Sequence, residues 1–463
     1  MAPSVRLIAG VRPPAFASSR LGSLAAEWAS TLSPARIAPV KDPYDYLKLR
    51  PVETRPSRTH PGACDVTDPS GIAAGVLTLS GALLFIASLM DGRRRRADVQ
   101  AEFMRCHGSF LFSDDLDRIV RQLDDALFLD TPAFDARWAE LTRQYRAAPF
   151  RPIRDQTSLG APFDRMAVYL DAMLATAPTV KQPPPAVAQA SRLGPDGVAT
   201  PGRLLGLVAP HLDYARGGPC YAAAYRGLAD RTDAVRFVIL GTNHFGRSAS
   251  VVGTRRDFET PFGIVPHDDD FMRRLDRRLG ADLCEYEYDH AREHSIELQV
   301  IVLRHLLGPR PFAIAPYLCP DPCGPTGTAP RDGRGVDLAD FVRALRAELD
   351  ADRVSTCLIA AADLSHVGRF FNDERGLDPD TLHDLERADR AVLDHLLKCS
   401  PADLRRHVSG TANNTNICSV GCLYALAAAL DGLAEPRLLH YHQAVIPEAE
   451  NCVTCAALEY RSS

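Results

Sequence analysis

Four residues beyond position 203 are of types that bind metals or move protons, and all four sit where an apolar run stops. LLGLVAPHLDY runs apolar through Leu204, Leu205, Leu207 and Val208 and then delivers His211. VRFVILGTNHFG ends on His244, and VSTCLIAAADLSH ends on Asp363 and His366. In an open α/β sheet, ligands bind at the carboxyl ends of strands, where loops bring side chains from different strands together. One histidine at such an end is most simply a loop residue bonded to its neighbours. Three histidines and a carboxylate at strand ends point instead to a site that ligates a metal or exchanges protons near neutral pH.

Two further segments carry related chemistry. EHSIELQVIVLRHLL puts Glu293 and His294 at a helix start, with Glu297 one turn later on the face of His294. Two readings of Glu297 stand side by side, a pocket residue or a cap folded back on the helix N-terminus. ANNTNICSVGCLYALAAAL opens a helix on an Asn/Thr loop, with Cys418 at the junction. The helix dipole favours a thiolate there, which suits a nucleophile or a metal ligand. Cys422, one turn inside, reads as core.

Such groups need buried strands to position them, and the pattern from Leu204 onward supplies these. Strands at 204–209, 235–240, 312–317 and 354–361 alternate with helices at 295–307, 337–349, 382–397 and 419–430, and strands near 438–445 and 452–460 close the chain. That alternation predicts an α/β domain over 203–463 with helices on both sheet faces. Upstream, KQPPPAVAQASRLGPDG marks a Pro-rich linker over 181–202. Residues 61–180 read as a small, mostly helical domain. It starts with a strand at Val76–Leu79, Ser80 capping a helix that ends near Gly92, and SDDLDRIVRQLDDALFLD with apolar residues at helical spacing. A helix near 164–177 follows. Helices followed by a short terminal strand resemble a winged-helix-like module. It has no basic recognition face, so nucleic acid is not an expected partner. Residues 1–60, rich in Pro, Ala and Arg, are expected to be poorly structured.

At 463 residues the chain has room for two or three domains, and its apolar fraction of 46% and net charge of −5 are those of an ordinary globular protein. Nothing in that charge draws it to nucleic acid or an anionic membrane, and the run Arg93 to Arg96 reads as a solvated turn or helix end. Residues Ile72 to Met90 lack charges over nineteen positions. Gly75, Thr78, Ser80, Gly81 and Ser88 interrupt them, which favours a strand and a helix over a membrane span. The start MAPSVRLIAGVRPP has neither a long apolar run nor a cleavage site. Twelve cysteines scattered through a chain of this size read as reduced, and the expected compartment is the cytoplasm. Cys452-x-x-Cys455 reads as two residues of one late strand.

The motifs APHLDYARGGPCYAAAY, VILGTNHFG, ETPFG, EHSIELQ, ADLSHVG and NTNICS, in that order, resemble the Memo family over about residues 203–460. Longer bacterial members of that family are labelled AmmeMemoRadiSam system protein B. The resemblance implies a three-layer α/β/α domain like that of the class III extradiol dioxygenases. It implies His211, His244 and Cys418 as metal ligands, with Asp363, His366, His294 and Glu297 lining the same pocket. The dioxygenases hold Fe(II) with two histidines and a carboxylate. A thiolate in the carboxylate's place is softer, so copper or zinc competes with iron. Asp213 stands where a glycine is more usual in animal members, and Phe245 where a second histidine is. The leading expectation is a metal-dependent redox enzyme, performing oxidation or dioxygen chemistry on a small-molecule or peptide substrate. His366, beside Asp363, is its general acid/base, and His294 with Glu297 orients the pocket. The alternatives are a zinc-dependent hydrolase and a non-catalytic scaffold whose pocket captures a peptide partner. The family label also implies association with a radical-SAM protein and an AMMECR-like protein.

Overall fold

A computed structural model describes residues 44–73, 75–154, 156–176, 202–371, 373 and 376–462. It divides the chain into two units, Met1–Gln144 and Tyr145–Ser463. The expectations for residues 1–43, and for nearly all of the 181–202 linker, lie outside the described residues.

In the first unit, β1 (Glu53–Pro56), β2 (Ala63–Thr67) and β3 (Val76–Ser80) pair in that order as an antiparallel sheet. Helices α1 (Gly81–Ser88), α2 (Arg96–His107), α3 (Ser113–Asp125) and α4 (Pro132–Ala147) follow. The Ser80 hydroxyl accepts from the Leu83 N–H and starts α1, so the charge-free stretch is a strand and a short helix. Among the described residues no helix is long and apolar enough to cross a membrane. Helix α3 buries Leu116, Ile119, Val120 and Leu123, the stripe its spacing predicts. Three strands precede the helices, whereas the sequence suggested the one at Val76–Leu79 and a further short strand closing the helices; Leu129 makes only an isolated bridge to Leu49. Residues 44–60, read as poorly structured, contribute β1 and the buried Leu47. Both short strands lack an apolar alternation, which is why no periodicity announced them.

The second unit is built on an eight-stranded mixed sheet in the order β11-β13-β4-β10-β5-β9-β6, with β12 on the other side of β13. The strands are β4 (Leu204–Ala209), β5 (Arg236–Thr242), β6 (Val252–Gly253), β9 (Ala313–Cys319), β10 (Thr356–Ala361), β11 (Asp363–Val367), β12 (Ala434–Ile446) and β13 (Asn451–Ser462). Strands β7 (Phe258–Thr260) and β8 (Gly263–Val265) form a separate hairpin. The four central strands, β4, β10, β5 and β9, are parallel, so their carboxyl ends share one edge of the sheet. Successive side chains feed two different cores, as the strand period of two demands. Val208, Val238, Leu240, Leu358 and Tyr317 pack on one face. Leu207, Phe237, Ile239, Ile359 and Ile314 pack on the other.

Both faces are covered by helices. Leu170 of α5 (Met166–Ala175), Tyr221 of α6 (Tyr214–Tyr225), Leu228 of α7 (Leu228–Arg231) and Leu298 of α9 (Ser295–Leu307) join one core. Phe271 of α8 (Asp269–Leu279), Phe341 of α10 (Leu338–Ala351), Leu393 of α11 (Pro379–Leu397), Leu404 of α12 (Pro401–Gly410) and Leu423 of α13 (Val420–Leu430) join the other. The α/β class read from the sequence is the one found. Helix α8, DDFMRRLDRRL, escaped that reading because only Phe271, Met272 and Leu275 of its eleven residues are buried. Helix α5 was assigned to the small domain, yet Met166, Leu170 and Met173 pack with Leu207 and Tyr221. The second unit therefore begins upstream of the Pro-rich segment.

Close approach of α9 to the end of β5 depends on Gly241. A Cβ there would lie 2.6 Å from Ile296 Cγ1 and 2.6 Å from Ser295 Oγ. The Ser295 hydroxyl in turn accepts from the Thr242 N–H at 3.1 Å. Gly241→Ala is expected to lower unfolding free energy by about 1–3 kcal/mol through overpacking. Chemical denaturation checks this, and a change within error would mean that α9 can move away freely.

Candidate metal centre

His211 leaves β4 immediately before α6 and is 2% exposed. Asp363 Oδ1 accepts from the backbone N–H groups of His211 and Leu212, at 3.0 and 3.2 Å. The ring Nδ1 lies 3.0 Å from the Ala361 carbonyl oxygen, which can only accept, so Nδ1 carries hydrogen. The free position is Nε2, 3.5 Å from Cys418 Sγ and 3.5 Å from Asp363 Oδ2. One carboxylate thus ties the end of β4 to the start of β11.

His244 follows β5 and is held by a residue to which the sequence reading gave no role. Glu293 accepts from the His244 N–H at 2.9 Å, and both its oxygens lie 3.1 Å from His244 Nδ1. It also accepts from the Ser295 N–H at 2.9 Å. A carboxylate on one ring nitrogen fixes the tautomer and turns the other nitrogen toward a metal position. Its only trace in the sequence was a Glu directly before His294. The rings of His244 and His294 are stacked at 5.4 Å, and that of His211 stands edge-on to both, at 4.9 and 5.7 Å. One nitrogen from each of the three lies within 4.8 Å of the others, a group that could hold a metal ion.

Cys418 enters from the loop before α13. The Ser419 hydroxyl beside it accepts from Thr242 Oγ1 and from the Asp363 N–H, each at 3.1 Å. Both lone pairs are then used, so its own hydrogen is left for Cys418 Sγ at 3.2 Å. Burial works against ionising this thiol. The charges of His211 and His366, with hydrogen bonds to His211 and His244, outweigh it and hold the thiol well below its ordinary range. Burial likewise opposes the charge on His211, but Asp363 and the Cys418 thiolate push its pKa up to about 10. Glu293 does the same for His244, and its own carboxyl is held low against burial by that imidazole. Without a metal, the surroundings of His211 and His244 favour their protonated forms, and those of Cys418 and Glu293 favour their ionised forms.

The remaining sequence candidates fall differently. His366 Nδ1 lies 3.1 Å from the carbonyl oxygens of Leu364 and Asn416, and Phe371 stands edge-on to its ring at 5.3 Å. Asp363 is turned to His211. Glu297, the residue with two open readings, is engaged on the side of α9 that faces Arg151. It is fully buried in an ion pair with Arg151, and it accepts from the Arg154 N–H at 3.1 Å. A turn of α9 separates it from Glu293, which carries the contact expected of it. Cys422 is core, and Cys452 and Cys455 are buried on β13 as free thiols.

Two measurements follow from these contacts. Glu293→Gln is expected to weaken binding of a divalent metal by about 10–100-fold, because the amide orients His244 less firmly; isothermal titration gives the number. The second concerns His290, buried and donating from Nε2 to the Val252 carbonyl at 2.9 Å, whose pKa burial lowers to about 3. Its folded value lies below the unfolded one, near about 6.5. Its contribution to stability is therefore fully present above about pH 6.5 and is lost as pH falls toward 3. His290→Gln keeps a donor for Val252 and should flatten the acid side of the stability curve of metal-free protein. An identical slope would assign the acid loss to other groups.

Comparison with known proteins covers this site. Residues 188–458, more than half of the chain, match the family model of the Memo-like protein. A MEMO1 family protein of Methanopyrus kandleri is 32% identical over 255 residues, 53% of this chain and 77% of the relative. One from Methanocaldococcus jannaschii is 29% identical over 245 residues, covering 51% and 76%. One from Aquifex aeolicus is 24% identical over 318 residues, covering 68% and 74%. The matched span contains the three histidines, Cys418 and every strand end that carries them, and the chain belongs to the Memo family.

Proposed function

We propose that this protein is a metal-dependent redox enzyme whose iron or copper is held by His211, His244 and Cys418. The observation that carries the reading is the approach of Cys418 Sγ to 3.5 Å from His211 Nε2, with both histidines clamped through Nδ1. Imidazole and thiolate donors from separate elements suit a soft or borderline transition metal, and such a donor set fits iron, copper or zinc. When bound, iron or copper would supply electron transfer and reaction with dioxygen. Around it the chain does the rest. Asp363 anchors His211, Glu293 orients His244, and His294 lines the pocket within ligand reach. His366 spends Nδ1 on backbone carbonyls, which leaves Nε2 to take and return a proton as general acid/base.

The likeness to class III extradiol dioxygenases, the long bacterial form called AmmeMemoRadiSam system protein B and a cytoplasmic setting belong to the same proposal. So do a small-molecule or peptide substrate and an association with radical-SAM and AMMECR-like proteins. A second reading, zinc-dependent hydrolysis, is favoured by the thiolate itself, a ligand that zinc shares.

Metal analysis of anaerobically purified protein separates them. Iron or copper at one equivalent with an oxygen-sensitive spectrum supports oxidation, stoichiometric zinc supports hydrolysis, and protein that binds none of the three leaves a peptide-binding pocket. Cys418→Ser is expected to lower metal affinity at least about tenfold, a hydroxyl being a much poorer ligand. His366→Ala should keep full metal content and lose about 10²–10⁴-fold in turnover. Equal metal loss in both variants would make His366 a ligand.

A further inference from the structure

Arg151 lies upstream of the 188–458 family match, yet it reaches the segment that delivers Glu293 and His294. It is 1% exposed, and its guanidinium is fully buried. Its backbone runs beside β7: its N–H donates to Asp257 O at 2.7 Å, and the Glu259 N–H donates to Arg151 O at 2.9 Å. From there Nε donates to His290 O at 2.8 Å and Nη2 to Glu293 O at 2.6 Å. Nη1 pairs with Glu297 and donates to Pro152 O at 3.3 Å. The guanidinium lies over the Phe258 ring, 4.9 Å from its centroid. Burying an arginine is costly unless its donors are used, and here, apart from the contact to Pro152 O, they are spent on one short stretch of chain, residues 290–297.

Those partners are the turn before α9. The two carbonyls that the fork grips belong to His290 and to Glu293, and the side chain of Glu293 holds His244 on the other side. Two-point donation from a rigid planar group fixes the orientation of a turn as well as its position, which a single ammonium cannot do. Glu297 closes the clamp from the next turn of α9.

We propose that Arg151 is a positioning residue for the metal centre, setting the angle at which Glu293 and His294 face His244 and His211. The proposal rests on the metal-binding reading of that centre. It also means that a fragment starting at residue 203 lacks part of its own site, because Glu297 loses its Arg151 partner.

The test uses full-length protein in two forms. Arg151→Met with Glu297→Gln removes both buried charges together, which avoids stranding either one. Arg151→Lys keeps a cation but not the fork. Arg236→Met with Asp268→Asn, which removes the ion pairs of Arg236 with Asp268 and Asp352, controls for a general loss of stability. Each variant with a wild-type circular dichroism spectrum is titrated with Co(II), following the thiolate-to-cobalt charge-transfer band. Imidazole nitrogen resonances of the metal-free protein are recorded as well. The expected result is about a 10–100-fold loss of Co(II) affinity and shifted His244 and His294 resonances in the Met/Gln form. Lysine should give no rescue, and the Arg236 control should be silent. Co(II) affinity within twofold of wild type with unmoved resonances overturns the proposal, and so does rescue by lysine. Should the Met/Gln form not fold, Arg151→Lys decides alone by the same two readouts. Wild-type protein that binds no Co(II) would sink the metal reading instead, and unmoved His244 and His294 resonances would then overturn the positioning role separately.

Discussion

A part-buried thiol beside an imidazole, Cys418 Sγ at 3.5 Å from His211 Nε2, is the interaction on which the rest of this centre depends. Burial opposes ionising Cys418, and His211, His366 and His244 around it outweigh that and lower its pKa; burial likewise opposes charge on His211, and Asp363 and Cys418 raise its pKa. Each charge is costly to bury without the other beside it. Each further contact keeps that pair in register. Asp363 holds the chain at His211 through two backbone N–H groups, and Ser419 ties Cys418 to β5 and β11 at once.

The sheet makes such precision possible. Four parallel strands end on one edge, and their side chains are buried on both faces, so the loops leave a scaffold that cannot flex independently beneath them. His211 and His244 hang from β4 and β5, and Asp363 follows β10. Cys418 comes from a helix packed over the same strands. Substituting for Gly241 would push α9, and with it Glu293 and His294, away from β5. Stability and site geometry therefore meet at the same few backbone positions.

The carboxylates divide their work by which histidine they face. Glu293 contacts one ring directly, Asp363 works through backbone as well as ring, and Glu297 is paired with Arg151. Among the described residues, the group that could hold a metal ion is made of His211, His244 and His294, one nitrogen from each lying within 4.8 Å of the others. A metal ion there would displace protons that these carboxylates now stabilise, so affinity and pH are linked at this centre.

The sequence by itself determined the α/β class, the strands that end on His211, His244 and Asp363, the helix that starts after His294, and the place of Cys418 at a helix entrance. Those features are local: an apolar run, a helical stripe and a loop each leave a pattern within a dozen residues. It also sufficed for the family, because the six motifs are contiguous strings. What it could not decide were pairings between segments far apart in the chain. Glu293 and Glu297 lie four residues apart in one motif, and nothing local says which one turns to His244 and which to Arg151. Nor does anything near Arg151 reveal that the unit with the metal centre begins before the Pro-rich segment. Strand β1 is exposed, β2 is mostly half-buried, and both are too short to alternate, so their pairing shows only in three dimensions. Tertiary structure decided these matters because the partner of a buried charge is fixed by where the chain returns, and sequence spacing carries no record of that.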